Sequence, residues 1–409
     1  MKKSPLGIIL GIIFIDLIGF GMIIPILPLY AQQFAANEWQ IGLLLASYSF
    51  MQFLASPLLG SFSDRFGRRP VLFGSLLGSA IGYVLMASAG ALWMLFLARI
   101  IAGAAGASVG TASAYIADIT PPENRSRRMG LIGAAFGVGF VLGPALGGIL
   151  SQWSPVAPFW FAAVIALLNG AAVLAFLPEP ERHLLASERA PTGLRAILAA
   201  AGGRRLAILT LTYFVAIAGF AVVTMIYPQV SARRFSLKQS QISYLFVLIG
   251  LIGALIQGGA IGRLSKRYGD LNLAVTGLFL LALSMGLMPL ATSLPLFVLF
   301  SIGLAAGNSL STPTLNALAS KGASGAVQGR VLGTLQAAGS LGRVFGPAMG
   351  GFLLAADHSR AHFQYGNTPF VAGAVLMLGA FFLAFTLRQL KPKVRGAAVE
   401  VPANRAMSD

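Results

Sequence analysis

Residues 60–69 of this chain read GSFSDRFGRR, and residues 262–270 read a related GRLSKRYGD. A second pair of motifs repeats at nearly the same distance, GFVLGPALGG at residues 139–148 and GRVFGPAMGG at residues 342–351. The two offsets are 202 and 203 residues. Two independent motifs at one offset indicate that the chain consists of two halves of similar length, built on one ancestral unit.

The composition predicts that both halves lie in a membrane. The 409 residues are 56% hydrophobic and 10% charged, whereas a soluble protein carries roughly 25% charged residues. A helix needs about 20 apolar residues to cross a bilayer, and twelve runs meet that length. They lie at about residues 6–30, 40–60, 70–90, 92–117, 128–150, 157–177, 206–230, 240–262, 271–292, 294–320, 327–354 and 368–388. We therefore expect an all-α integral membrane protein with two pseudo-symmetric bundles of six helices.

The basic residues predict the orientation of the chain. Most of the 29 Lys and Arg residues fall in predicted loops on the side of the termini, which places both termini in the cytoplasm. The opposite side carries Arg233, Arg234, Lys238 and Arg360, as a vestibule or as tolerated charge. We expect an N-terminal bundle at residues 1–177, a cytoplasmic linker at 178–205, a C-terminal bundle at 206–390 and a disordered tail at 391–409. Residues 193–201 of the linker can form a short interfacial helix.

The same charges and the absent residue types exclude several classes of protein. A net charge of +17 would favour nucleic acid in a soluble chain, but here the loops facing the cytoplasm account for it. Cys is absent and the three His residues all fall in predicted loops, so we expect neither a metal site nor a cofactor. The sequence has no paired acids, Ser-His set or phosphate-binding loop of the kind that a membrane-embedded enzyme would use.

The motifs resemble those of the major facilitator superfamily, in both the loop at residues 60–69 and the Gly-Pro segments. The first half, from Asp16 to Pro70, is most similar to the drug/proton antiporters that include the tetracycline exporters. The resemblance implies a monomeric secondary transporter of a bacterial inner membrane that exports hydrophobic or drug-like molecules by proton antiport through alternating access. The chain has Ile81-Gly82-Tyr83 where those exporters carry an Asp in helix 3, which favours a substrate other than tetracycline.

Two charged residues inside the first half are the candidates for proton coupling. Asp16 lies near the middle of helix 1, where a carboxylate costs roughly 2.5–3.5 kcal/mol on insertion scales, so we expect it to exchange protons or bind substrate. The alternative is a static salt bridge. Arg99 in helix 4 matches a family Arg implicated in proton transfer and can reach a similar depth. Its alternative is a guanidinium satisfied by backbone carbonyls.

The loop between helices 2 and 3 is predicted to form a cytoplasmic gate. Gly60 would permit close helix packing and Gly67 a tight turn, while Asp64 and Asp118 would accept hydrogen bonds from arginines. The predicted gate residues are Gly60, Asp64, Arg65, Gly67, Arg68, Arg69 and Asp118. The alternative is that the loop only sets topology through its positive charge.

The Gly-Pro segments are predicted to pack helices closely, because small residues at a spacing of four let two backbones approach. The packing residues are Gly139, Gly143, Pro144, Gly147, Gly148, Gly346, Pro347, Gly350 and Gly351. Arg343 interrupts the second copy, either near the cytoplasmic end of its helix or paired with an unidentified acceptor.

Aromatic and amide side chains in the spans are the candidates for substrate binding between the halves. They are Phe20, Tyr48, Gln52, Thr111, Phe136, Phe140, Tyr213, Tyr227, Gln257, Asn308 and Gln336. Gln52 and Gln257 match family positions that bind substrate and rank first. Aromatic residues with sparse amides suit a bulky amphipathic molecule, although any one of them can instead pack against a neighbouring helix. A proton-linked importer, a lipid or glycolipid or metabolite transporter, and a non-transporting receptor on the same fold remain as alternatives.

Overall fold

The computed structural model describes residues 5–106, 108–180, 203–321, 325–359 and 365–390. Within them the chain is mostly helical, and helix covers most of each predicted span. The first half consists of α1 (Pro5–Gln32), α2 (Glu38–Phe66), α3 (Arg68–Ala87), α4 (Leu92–Ala104), α5 (Ser108–Asp118), α6 (Pro122–Leu150) and α7 (Ala157–Phe176). The second half consists of α8 (Arg204–Phe235), α9 (Gln239–Leu255), a π-helical turn (Ile256–Ala260), α10 (Ile261–Tyr268), α11 (Asp270–Leu287), α12 (Leu294–Lys321), α13 (Gly325–Ser359) and α14 (Asn367–Thr386).

Among the described residues, ten helical segments are long and apolar enough to cross a membrane, counting α4 with α5 and α9 with α10 as one segment each. Helices α6 and α13, which carry the Gly-Pro segments, have 29 and 35 residues and occupy the two remaining predicted positions. The helices alternate in direction. We call the end that holds the start of α1 and the end of α14 the termini end, and the other the distal end.

The predicted fourth span is interrupted, because α4 ends at Ala104 and α5 begins only at Ser108. The break leaves backbone groups without helical partners, and inside a membrane these must be satisfied within the protein. The Nε2 of Gln52 donates to the carbonyl oxygen of Gly106 at 2.8 Å. The π-helical turn Ile256–Ala260 interrupts the span that includes α9 in the second half.

Two helix ends lie beyond the bounds that the sequence indicated. Helix α8 begins at Arg204, two residues before the predicted start of the C-terminal bundle. His358 lies within α13 and not in a loop, since Asp357 accepts hydrogen bonds from the backbone N–H groups of Gly366 and Thr368 and ties down this extended end. The predicted helix at 193–201, the rest of the linker from 181 to 202, and the tail lie outside the described residues.

Each half has its own helix core, and the halves meet through α2 with α13 and α6 with α9. Within the halves, α1 packs on α6 and α8 packs on α13 in the same way. The repeat in sequence is therefore a repeat in packing. The space where a ligand would be expected lies between the two halves, bordered by these helices.

Candidate functional site

The predicted proton-coupling acid lies beside the break in the fourth span. Asp16, in the middle of α1, accepts a hydrogen bond of 2.5 Å from the hydroxyl of Ser108, the first residue of α5. Sequence reasoning missed Ser108, because nothing in the small-residue run around it showed that the helix would restart there. This hydrogen bond links α1 to the start of α5, and the two helices also share a cluster of buried apolar side chains.

Arg99 is buried, with 6% of its surface exposed, and stacks on Tyr48. Its guanidinium carbon lies 4.3 Å from the centroid of the Tyr48 ring, and Phe20 packs on the same ring at 5.6 Å between centroids. The Nε of Arg99 has no hydrogen-bond partner among the described residues. Such a contact of a cation with an aromatic face is stronger when it is desolvated.

The structure does not pair Asp16 with Arg99, as the described residues include no ion pair between them. Both charges instead lie within electrostatic range of the Tyr48 hydroxyl. The hydroxyl of Tyr48 and the amide of Gln52 both approach Gly106 at the helix break. Asp16, Arg99, Phe20, Tyr48 and Gln52 therefore form one group, which we call the Tyr48 cluster.

In the second half, Gln257 and Asn308 lie near each other along the contact with Ser309, and Tyr213 lies elsewhere, near Arg343. Gln257, in the π-helical turn, reaches the hydroxyl of Ser309 at 3.5 Å. Asn308 accepts a hydrogen bond of 3.0 Å from Thr312. Tyr213 lies in the buried core near Arg343, with 3% of its surface exposed.

Among the described residues, the other candidates make no direct contact with the Tyr48 cluster. Tyr227 is 2% exposed, packs against Phe297 and bonds Ser301 at 2.6 Å, so it is a core residue in this structure. Thr111 is buried in α5, and Gln336 is exposed on α13. The side chains of Phe136 and Phe140 lie outside the described part of the chain.

The predicted gate residues at the termini end form a network around Arg68. Its Nε donates to Asp118 at 2.8 Å and its Nη1 to Asp64 at 2.5 Å. Gly67, at φ 113°, makes the turn between α2 and α3. Glu179, which sequence reasoning missed, accepts hydrogen bonds from the backbone N–H groups of Arg68 at 2.5 Å and Arg69 at 3.0 Å.

Gly60 differs from its prediction, and other arginines of the loop make contacts that the sequence did not indicate. A Cβ added at Gly60 would meet nothing within 4 Å, so the expected close packing at this glycine is wrong. Arg65 stacks on its neighbour Phe66, 5.3 Å from the ring centroid, and Arg69 bonds the carbonyl of Leu174. In the second copy, Asp270 pairs with Lys321 at 2.6 Å, so the ionic contacts of the two copies differ.

The Gly-Pro segments lie close to other helices. A Cβ at Gly143 would lie 2.8 Å from the Cα of Gly21 in α1, and one at Gly346 would lie 2.6 Å from Ala221 in α8. Pro144 and Pro347 lie inside their helices. The other glycines that approach α1 or α8 in this way are Gly139, Gly147 and Gly350.

The last glycine of each segment instead contacts the other half. A Cβ at Gly148 would lie 2.7 Å from the Cβ of Ser243 in α9, and one at Gly351 would lie 2.9 Å from the Cα of Gly42 in α2. Each segment thus packs against a helix of its own half and also against a helix of the other half. Both crossings lie toward the distal end.

A polar cluster that the sequence did not predict joins the halves at the distal end. Glu38 of α2 accepts from Tyr365 at 3.2 Å and lies 2.7 Å from the Nδ1 of His358. Arg233 lies 4.0 Å from the same carboxylate and stacks on Tyr365 at 4.3 Å. Burial, and then the Glu38 carboxylate, raise the pKa of Tyr365, so its hydroxyl keeps its proton as a donor. Gln229 completes the lining of a cavity of about 470 Å³ here.

Two of the basic residues on the distal side thereby find a structural explanation. Arg233 and Arg234 do not stand free as a vestibule, since Arg234 bonds the carbonyl of Tyr365 at 2.7 Å and also contacts Asn367. Across the halves, the Nε2 of Gln32 lies 3.4 Å from the Oε1 of Gln229. At the termini end, by contrast, the ion pairs of the described residues stay within one half.

Two pseudo-symmetric helical bundles, with ionisable groups buried between them and a separate contact network at each end, define a membrane transporter. The model of the Major Facilitator Superfamily matches residues 9–259 and again residues 209–407. The chain belongs to this superfamily.

Several curated proteins are similar over nearly the whole chain. The tetracycline resistance protein, class C, of Escherichia coli is 36% identical over 391 residues, which cover 92% of this chain and 95% of that protein. The class H protein of Pasteurella multocida is 32% identical and covers 95% of each chain. Multidrug resistance protein 1 of Bacillus subtilis (strain 168) is 29% identical, covering 87% of this chain and 91% of its own.

Solved structures share the fold. The human organic anion transporter MFSD10 (TETRAN) is 28% identical, with a TM-score of 0.71 over 94% of this chain and 99% of that one. A bacterial homolog of the human lysosomal transporter Spinster, inward-facing and unoccupied, has a TM-score of 0.78 over 95% of this chain and 97% of its own. Because that protein is only 16% identical, it supports the fold alone.

Proposed function

We propose that this protein is a proton-driven exporter of amphipathic, drug-like small molecules in the inner membrane of a bacterium. It works by alternating access, as a monomer without a bound cofactor, and its termini end faces the cytoplasm. The similarity to tetracycline and multidrug resistance proteins over most of the chain supports export of such molecules. The basic loops of the termini end support the orientation.

The observation that carries the proposal is the unequal closure of the two ends. At the distal end, Glu38 of the first half contacts His358 of the second, and Gly42 lies against Gly351. At the termini end, the acids that pair with Arg68 among the described residues both belong to its own half. This arrangement corresponds to a site that faces the cytoplasm, from which an exporter takes up its substrate.

Asp16 is the proposed proton carrier. Its carboxylate is the acceptor for Ser108 at the helix break, so protonation would remove a charge from that contact and loosen the junction between α4 and α5. Membrane voltage alone supplies about 2.3 kcal/mol per proton per 100 mV. Substrate that binds in the Tyr48 cluster would then exchange with this proton.

Arg68 is proposed to couple protonation of Asp16 to the opening and closing of the cytoplasmic gate. It holds α2, α3 and the end of α5 together through Asp64 and Asp118. Since α5 also carries Ser108 at its other end, a shift of α5 on protonation of Asp16 would reach Asp118. When the distal end opens, the gate residues of the first half would then contact the second half and close the cytoplasmic end.

The test uses purified protein in proteoliposomes with an imposed pH gradient. Antiport appears as recovery of the fluorescence of a pH-gradient dye when tetracycline or an amphipathic dye of each charge class is added. We expect Asp16→Asn to abolish this recovery and Asp409→Asn, at the last residue of the chain, to leave it unchanged. No recovery with any compound in the wild type would overturn the exporter proposal. Full recovery in Asp16→Asn would move proton coupling to another acid.

A further inference from the structure

Arg343 is a charged residue in the middle of α13 that the proposed function leaves unused. It stands in the second Gly-Pro segment, GRVFGPAMGG, at the position that Phe140 occupies in GFVLGPALGG. The charge is therefore specific to one copy of an otherwise shared packing motif. An ionisable residue inside a membrane span is a candidate for function, because its insertion is unfavourable.

The packing of α13 places Arg343 at the depth of the Tyr48 cluster. Helices α2 and α13 cross where Gly42 meets Gly351. From that crossing toward the termini end, Tyr48 lies six residues along α2 and Arg343 eight residues along α13. At a rise of about 1.5 Å per residue, the two descend by about 9 and 12 Å. The two residues therefore differ by only about 3 Å in depth and lie on opposite sides of the boundary between the halves.

Arg343 has little to neutralise it. Its Nη2 donates to the hydroxyl of Ser340 at 3.0 Å. A Cβ added at Gly339 would lie 2.8 Å from the Tyr213 ring and 3.6 Å from a guanidinium nitrogen of Arg343, which places that aromatic ring beside the guanidinium. Among the described residues, no carboxylate forms an ion pair with Arg343 or with Arg99.

The interior therefore carries more positive than negative charge. Asp16 is the one acidic residue in the middle of a predicted span, and the other acids lie at span ends, in loops or in the tail. The middle parts of the spans hold two guanidinium groups, Arg99 and Arg343, and one carboxyl group, so the balance is positive whether Asp16 is ionised or protonated. A site of this sign attracts an anionic group and disfavours a molecule whose only charge is positive.

We propose that Arg343 determines substrate specificity by binding an acidic group of the transported molecule. The substrates are then amphipathic organic acids and zwitterions, and not simple lipophilic cations. The planar guanidinium presents a fork of donors that matches a carboxylate or enolate, and Tyr48 and Phe20 supply aromatic surface for the rest of the molecule. This inference rests on the proposed exporter function.

The test compares two dyes that differ in one group. Rhodamine 110 has a free carboxyl group, and rhodamine 123 is its methyl ester. Their proton-driven uptake is measured in proteoliposomes with wild type, Arg343→Gln, Arg343→Lys and the control Arg388→Gln, at an exposed arginine that contacts Asn272 near the termini end. Size-exclusion elution and thermal unfolding establish that each variant is folded. The same four proteins are titrated with both dyes in detergent to measure binding without transport.

We expect wild type to prefer rhodamine 110. Arg343→Gln should raise its KM and Kd for that dye about 10- to 100-fold, the range for a hydrogen bond to a charged group, and leave rhodamine 123 unaffected. Arg343→Lys should fall between the two, and Arg388→Gln should match wild type. Equal handling of both dyes by wild type and Arg343→Gln would overturn the inference while the exporter function stands.

The binding titration separates the two proposals. If neither dye is transported but wild type binds rhodamine 110 more tightly and Arg343→Gln removes the difference, the acidic-group site stands, and the antiport assay with the wider set of compounds decides the exporter function. If neither dye is transported and binding shows no preference, the inference fails. An Arg343→Gln protein that does not fold leaves the decision to Arg343→Lys, whose discrimination between the dyes must be weaker than that of wild type.

Discussion

Arg68 contacts two acids whose exposure differs, and this difference decides which contact contributes more. The side chain of Asp118 is 32% exposed and that of Asp64 is 69% exposed, while Arg68 itself is 17% exposed. An ion pair between exposed charges contributes about 0–1 kcal/mol, and the value falls as water screens it. The pair with Asp118 is better shielded, and it joins two helices that are not consecutive in the chain, α3 and α5.

We predict that Asp118→Asn slows transport by about 10-fold and that Asp64→Asn, its matched control, does so by less than about 3-fold, in keeping with the small energies of exposed pairs. The measurement is the initial rate of gradient-driven dye uptake for each single variant. Combining either substitution with Arg68→Gln completes a double-mutant cycle. Additive effects of Arg68→Gln and Asp118→Asn would mean that their contact has no part in the gate.

The sequence predicted the residues whose charge conflicts with an apolar span, and it missed those whose polarity is ordinary for their position. Asp16 and Arg99 stand out because a charge in the bilayer is rare. Ser108 and Glu38 do not, since a serine in a small-residue run and an acid at a helix start are common. Their roles depend on which helices meet, and that information is carried by tertiary packing. The same reason accounts for Gly60, whose expected neighbour helix lies elsewhere.

At the scale of the helix, the Gly-Pro segments show what a repeat predicts well. The spacing of small residues correctly predicted that α6 and α13 would pack closely on other helices. It did not predict that Gly148 and Gly351 would face the opposite half. The break before Ser108 was also missed, because the run around Gly103 and Gly106 contains no proline and reads as continuous helix.

The crossing of α2 with α13 gives a prediction at this scale. A side chain at residue 351 would meet the backbone of Glu38 and Gly42, so Gly351→Val should separate the halves at the distal end. The chain has no cysteine, so Ala232→Cys, which lines the distal cavity, can report access of a membrane-impermeant maleimide. We expect Gly351→Val to speed this labelling several-fold and to slow transport.

The control is Gly74→Val, at a glycine of α3 where an added Cβ meets nothing within 4 Å. It should change neither labelling nor transport. If Gly351→Val labels as slowly as Gly74→Val, the distal closure does not depend on the α2–α13 crossing.

At the scale of the whole molecule, the two ends of the bundle are held by different kinds of contact. The distal end combines glycine crossings with the cluster of Glu38, His358, Arg233 and Tyr365, which links the halves. The termini end keeps its ion pairs within each half. Rocking of two rigid halves about a fixed site requires the distal contacts to break in each cycle.

A reversible cross-link at the distal end tests that requirement. Gln32 and Gln229 face each other across the halves, with their side-chain amides 3.4 Å apart, so the pair Gln32→Cys and Gln229→Cys can be joined by a short bis-thiosulfonate reagent. Since the native chain lacks cysteine, the reagent finds only the introduced thiols. We expect cross-linking to reduce transport by more than about 90%, because a covalent link prevents the distal end from opening, whereas the natural contacts there are weak enough to break. A reducing agent should restore transport.

The matched control joins Asn272→Cys to Arg388→Cys, whose native side chains are 2.9 Å apart within the second half at the termini end. A link inside one rigid half should leave transport intact, whereas a link between halves should not. Binding of rhodamine 110 from the cytoplasmic side should survive in the cross-linked Gln32→Cys, Gln229→Cys protein, since the site then stays open to that side. Full transport by that cross-linked protein would contradict a cycle in which the distal end must open.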